Sequence, residues 1–184
     1  MEYTLWCDES LSKGIYFSDF YGGILVKSTH LHEVRSRLTN RREASEMSQE
    51  LKWTKITSHY VDVYKSMVDE LFDILKEGKA KIRIMFRQSA IQPINISQEQ
   101  RKKGFHLLYY QFIKHAFGLK YSNTSTNPVH LRAYFDRLPD TREKNQLFKE
   151  HIHSLQNQSW LKAANIRIRP EDITEIDSKN HIEL

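Results

Sequence analysis

The sequence predicts an α/β domain built on a mixed central sheet, with antiparallel first strands and helices on both faces. Three observations predict it. Two strand-like runs follow one another at the amino end. Helical and strand-like patterns then alternate along the rest of the chain. Val129, Leu131, Ala133 and Phe135 recur at every second position up to Asp136. With 184 residues, 39% of them hydrophobic, and no composition shift to mark a boundary, the chain reads as one domain over 1–184 with its own core.

In chain order, Tyr3 to Cys7 reads as a strand ending at Asp8. Tyr16 to Val26, with Gly22-Gly23 inside it, reads as its antiparallel partner across a turn at Leu11 to Gly14. Ser28 is placed to cap a short helix carrying Leu31, Val34 and Leu38, and the polar stretch Thr39 to Gln49 follows as an exposed connection or helix end. Tyr60, Tyr64, Met67, Leu71, Ile74 and Leu75 fall at helical spacing, with Gly78 as the stop. Ile82, Ile84 and Phe86 alternate with Lys81, Arg83, Met85 and Arg87 in a strand. A loop at Pro93 leads to Ser97, which would cap a helix carrying Phe105, Leu108, Phe112 and Ala116. Ser122 to Pro128 is a loop before the strand that ends at Asp136. Leu147, Phe148, Ile152 and Leu155 then mark a helix, and Ile166 to Ile168 and Ile173 to Ile176 are short strands separated by Pro170. Parallel strands in such a sheet bring their carboxyl ends to a common edge, where ligands usually sit.

The amino end has no basic segment followed by an apolar run, which points to a cytoplasmic protein. No stretch approaches the roughly 20 apolar residues of a membrane helix. A single cysteine makes no internal disulfide. Lys and Arg exceed Asp and Glu by 28 to 23, a net charge of +5, which favours encounter with nucleic acid; ordinary solubility charge explains the number equally well.

Three acids stand out: Asp8 in Cys7-Asp8-Glu9-Ser10, Glu50 in Glu50-Leu51-Lys52-Trp53, and Asp136 at the end of its strand. An acid at a strand end is most often a turn-former or cap, so each alone says little. These motifs, together with Asp177-Ser178-Lys179, follow in order the pattern of the domain of unknown function (DUF) thirty-eight hundred family, which the chain resembles over nearly its whole length. That family lies in the ribonuclease H-like superfamily. The resemblance implies a metal-dependent nuclease that hydrolyses DNA or RNA with two Mg²⁺ or Mn²⁺ ions. Asp8 would be the bridging ligand, Glu50 the second and Asp136 the third, with Lys52 near a phosphate or the acid cluster. Clustered carboxylates repel one another unless a cation neutralises them, and hard oxygen donors without a cysteine pair suit Mg²⁺ or Mn²⁺. Glu9 and Ser10 would support the ligands, and Trp53 would belong to the core.

One departure bears on activity. The family's Asp-Ser-Lys stretch is followed by a helix with a further Asp, whereas here Asn180 to Leu184 close the sequence. Either the chain is shortened before its last helix, or the fourth ligand is lost or replaced by Asp177 or Glu183. The alternative function is therefore a catalytically silent module that binds nucleic acid or a protein partner, possible in a defence or mobile-element system. Other signals favour structure. The pairs His30 and His32, and His151 and His153, fall in helical segments and read as surface residues, with His106 or His153 conceivable near the acid edge. Cys7 reads as a buried thiol. Phe105 and Phe112 read as core, with Tyr109 or Tyr110 left as surface contacts that could stack bases, and Lys102-Lys103 and Arg41-Arg42 as phosphate contacts or solvated charge.

Overall fold

A computed structural model describes residues 1–45, 51–91, 94–95, 97, 104–123, 125–136, 138 and 141–176. Its strands are β1 (Glu2–Lys13), β2 (Phe17–Lys27), β3 (Ala80–Gln88), β4 (Val129–Phe135), β5 (Ile166–Arg167) and β6 (Ile173–Glu175). Its α-helices are α1 (Ser28–Ala44), α2 (Val61–Lys76), α3 (Gly104–His115), α4 (Arg142–Ser154) and the short α5 (Ser159–Ala163). The sheet runs β3-β2-β1-β4-β5, and β6 pairs with β4 beyond β5. β1 is antiparallel to β2 and β2 to β3, while β4 is parallel to β1, β5 and β6. This is the mixed sheet with antiparallel first strands that the sequence predicts.

The two faces pack unequally. Leu5 and Cys7 of β1 and the inward residues of β4 meet α3, α4 and α5 in the larger core, where Phe135 meets Phe148 and Tyr109 in T-shaped contacts. On the opposite face Trp6, Val26 and Ala80 pack under Val34 of α1 and Ile74 of α2 in a smaller core. Gly23 lets the larger side close: a Cβ there would lie 3.0 Å from the Trp6 carbonyl oxygen and 3.1 Å from the rings of Phe112 and Phe117. Gly78, at φ +72°, ends α2 in the left-handed region, where glycine carries no steric cost.

Several expectations need correction. β1 does not end at Asp8; it continues to Lys13, pairing Ser10 with Phe20 and Lys13 with Ser18, so the turn falls after Lys13. Of the two readings of Thr39 to Gln49, a helix end holds for Thr39 to Ala44, which belong to α1; Arg37 and Arg41 reach Glu70 of α2 at 2.5 and 3.3 Å and give its polar face partners. Ser28 is its first residue rather than its cap, with Lys27 in the capping place and no side-chain bond there. Tyr109 and Tyr110 are buried in the larger core, not surface contacts. Glu50, Pro93, Lys102, Lys103, Asp177, Ser178, Lys179 and Glu183 lie outside the described residues, as do the side chains of Trp53 and Phe105.

Candidate active site

The parallel ladder between β1 and β4 places the first two acids. Its pairs run from Glu2 with His130 to Cys7 with Phe135, and the Asp136 N–H then donates to the Cys7 carbonyl at 3.2 Å. Asp8 and Asp136 thus stand one residue beyond the same pair, on neighbouring strands about 5 Å apart. Alternation sets their face. Leu5, Cys7, Ala133 and Phe135 point into the larger core, whereas Trp6 and Tyr134 stack at 5.7 Å on the α1 and α2 side. Asp8 and Asp136 follow these two aromatics at the same phase and share their face. Asp8 is exposed and Asp136 half-buried, and an Asp8 oxygen accepts the Glu9 N–H at 2.8 Å.

Glu9 projects to the opposite face, where it accepts a hydrogen bond from the Tyr109 hydroxyl at 2.5 Å. Burial raises its carboxyl above the ordinary glutamate range; the Tyr109 bond opposes the rise, and the nearby charges of Asp8 and Asp136 add to it. The Tyr109 hydroxyl is itself pushed far up, foremost by burial, so it stays a donor. Burial, with Glu9 and Asp8 adding, likewise pushes the Cys7 thiol far up, which rules it out as a thiolate nucleophile. The Glu9–Tyr109 contact escaped the sequence reading, which left Tyr109 at the surface, although helical spacing held the signal. Tyr109 lies on the stripe Phe105, Tyr109, Phe112, whose spacing alone assigns it to the core.

Of the predicted set, the structure brings Asp8 and Asp136 together. Lys52 is tied by its backbone to α2: its N–H donates to the Tyr64 hydroxyl oxygen at 3.0 Å, and the Tyr64 hydroxyl donates to its carbonyl at 3.0 Å. α2 packs on the face that Asp8 and Asp136 share. Among the described residues, no group of three or more His, Cys, Asp and Glu is arranged to hold a metal ion. The two aspartates nonetheless fit a hard divalent cation in donor chemistry, as neighbouring carboxylates on an open sheet face. The two histidines singled out in the sequence have these contacts. His106 stacks on Phe148 at 5.0 Å beneath the opposite face, and the His153 ring contacts Gln156 at 2.7 Å.

No family model matches the chain, and no curated protein matches it. Among solved structures it is similar to a chain of the PCNA:RNase HII complex from Archaeoglobus fulgidus, with 10% identity and a TM-score of 0.39, over 96% of this chain and 63% of that one. It is also similar to a point mutant of Bst-RNase HIII, with 10% identity and a TM-score of 0.42, over 95% of this chain and 45% of that one. The chain therefore spans less than two thirds of the length of either. No helix among the described residues is long and apolar enough to cross a membrane. The mixed sheet, its antiparallel opening strands and its two helical layers are the α/β arrangement that the sequence led us to expect.

Proposed function

We propose that the protein is a metal-dependent nuclease of the DUF thirty-eight hundred family, working on DNA or RNA in the cytoplasm. In this reading Asp8, Asp136 and Glu50 hold Mg²⁺ or Mn²⁺, and Lys52 lies near the scissile phosphate. One observation carries it: Asp8 and Asp136 stand one step beyond the same ladder pair and on one open face. When bound, such ions supply water activation and charge stabilisation at phosphorus. The chain's own contribution is placement. The ladder fixes the spacing of the two carboxylates, and Trp6 and Tyr134 form the floor beneath them. The net charge of +5 favours a polyanionic substrate.

A catalytically silent module that binds nucleic acid or a protein partner is the second reading. A Mn²⁺ titration monitored by calorimetry, run beside a cleavage assay on labelled DNA and RNA, separates the two. The nuclease reading expects saturable metal binding and cleavage, and expects Asp8→Asn to lower cleavage on the order of 10³-fold or more. The melting temperature should hardly move, because Asp8 is exposed. An Asp8→Asn protein that cleaves as well as the parent overturns the assignment.

A further inference from the structure

β3 is the outer strand of the sheet, and it carries Lys81, Arg83 and Arg87 with no acid. Charge on an outer strand is ordinary protection against edge-to-edge pairing. Exposed aromatic rings beside it are not explained that way. Phe86 is 50% exposed and Ile84 66%; Phe17, 41% exposed, stands edge-on to Phe86 at 4.9 Å, with Phe20 tilted against it at 5.8 Å.

Register relates this patch to the acid pair. Asp8 pairs with Gly22 on β2, and Gly22 with Ile84 on β3, so the three lie in one row across the sheet. Phe86 follows Ile84 at the same phase, which puts it on the face of Asp8 and Asp136, two strands and about 10 Å to the side. Between them stands Gly22: among the described residues, a Cβ added there would meet only the Asp8 carbonyl oxygen, at 3.9 Å.

We propose that Phe86, backed by Phe17 and Phe20, is a stacking platform for unpaired bases of a single-stranded polynucleotide, whose backbone crosses Gly22 toward Asp8 and Asp136. The proposal rests on the reading that this face handles nucleic acid, and it names the substrate class. A second copy of the chain is a poor occupant, since antiparallel β3 strands would bring three cations from each side together with no acid among them. A duplex is also a poor occupant, because exposed rings stack only on bases whose faces are free. Lys81, Arg83 and Arg87 alternate with Ile82, Ile84 and Phe86 and so root on the other face of β3, from which they add to the chain's net charge of +5 rather than meet the stacked bases.

The test is fluorescence anisotropy in EDTA with labelled oligo(dT) and oligo(U), which separate DNA from RNA, beside a duplex of the same length. The parent should prefer a single strand. Phe86→Ala should weaken single-strand binding about 5- to 150-fold and leave duplex binding unchanged. Phe86→Trp should retain binding, with its indole emission quenched as the strand saturates. Unchanged single-strand affinity in Phe86→Ala, an unquenched Phe86→Trp, or a parent that binds duplex as tightly as single strand overturns the platform, whether or not the parent cleaves. Conversely, a parent that shows the Phe86-dependent binding yet leaves the strand intact with Mn²⁺ overturns the nuclease reading and leaves the platform standing.

Discussion

The sheet's two faces diverge at the carboxyl end of β1. On one side Glu9 is half-buried and locked by Tyr109 above an aromatic cluster; on the other Asp8 is exposed beside Asp136, over the thinner α1 and α2 layer. Successive residues of one strand are thus sent to a packed face and to an open one, and the pleat makes the division. The lesson is that adjacent acids in a motif need not share a role.

The largest expected effect tests the inequality of the two cores. Phe148 is almost wholly buried and touches the rings of Phe135, Tyr109 and His106, so Phe148→Ala should cost about 3–5 kcal/mol in urea unfolding. Ile74→Ala, in the smaller core, should cost about 2–4 kcal/mol. An Ile74 variant costing more than the Phe148 variant would reverse the comparison.

Next comes Asp172, nearly inaccessible and bound by Arg169 at 2.8 and 2.9 Å. Burial works against its charge, but the Arg169 bonds and the nearby Arg132 hold its carboxyl below the ordinary range. A depressed carboxyl adds stability that is present above the unfolded value of about 3.9 and is lost as pH falls through the folded value. Asp172→Asn should therefore cost about 1–3 kcal/mol at pH 7, with the difference from the parent shrinking in acid; a difference that is flat with pH would contradict the ion-pair account.

Glu9→Gln should have the smallest effect and the opposite sign. The folded carboxyl is raised, so the parent is fully stable below the unfolded value of about 4.3 and loses stability as pH rises through the folded one. Gln keeps an acceptor for Tyr109 without the charge. The variant should match the parent near pH 4 and gain less than about 1 kcal/mol at pH 7, read from melting curves. A loss at pH 7 would mean that the charge itself strengthens the Tyr109 contact.

How far the sequence disclosed this arrangement depended on where polar residues fell. β4 was fully legible because its alternation matches its burial, every second residue being buried. The far half of β1 was not, since Asp8, Glu9 and Ser10 mimic a turn, and only their pairing with β2 shows a strand. The second half of α1 was obscured in the same way, because its stabilising partners, Glu70 in α2 and Glu77 just past its end, are distant in sequence. Asp8 and Asp136 were recognisable as candidates from their motifs. Their adjacency was expected only through the family resemblance, because the residues alone do not show β1 pairing with a strand more than a hundred residues away. The platform at Phe86 escaped notice because alternation marks its strand but not that β3 lies at the edge.

The hydrogen bond from the Asp136 amide to Cys7 has a consequence for how the protein could fail. Because side chains alternate, sliding β4 by a single residue along β1 would carry Asp136 through the sheet to the Glu9 side while leaving the ladder's bond count nearly unchanged. Such a misthreaded form would look folded by secondary-structure content, yet its two aspartates would sit on opposite sides of the layer. In the nuclease we propose, cleavage would then report strand alignment more sharply than any spectrum of the backbone.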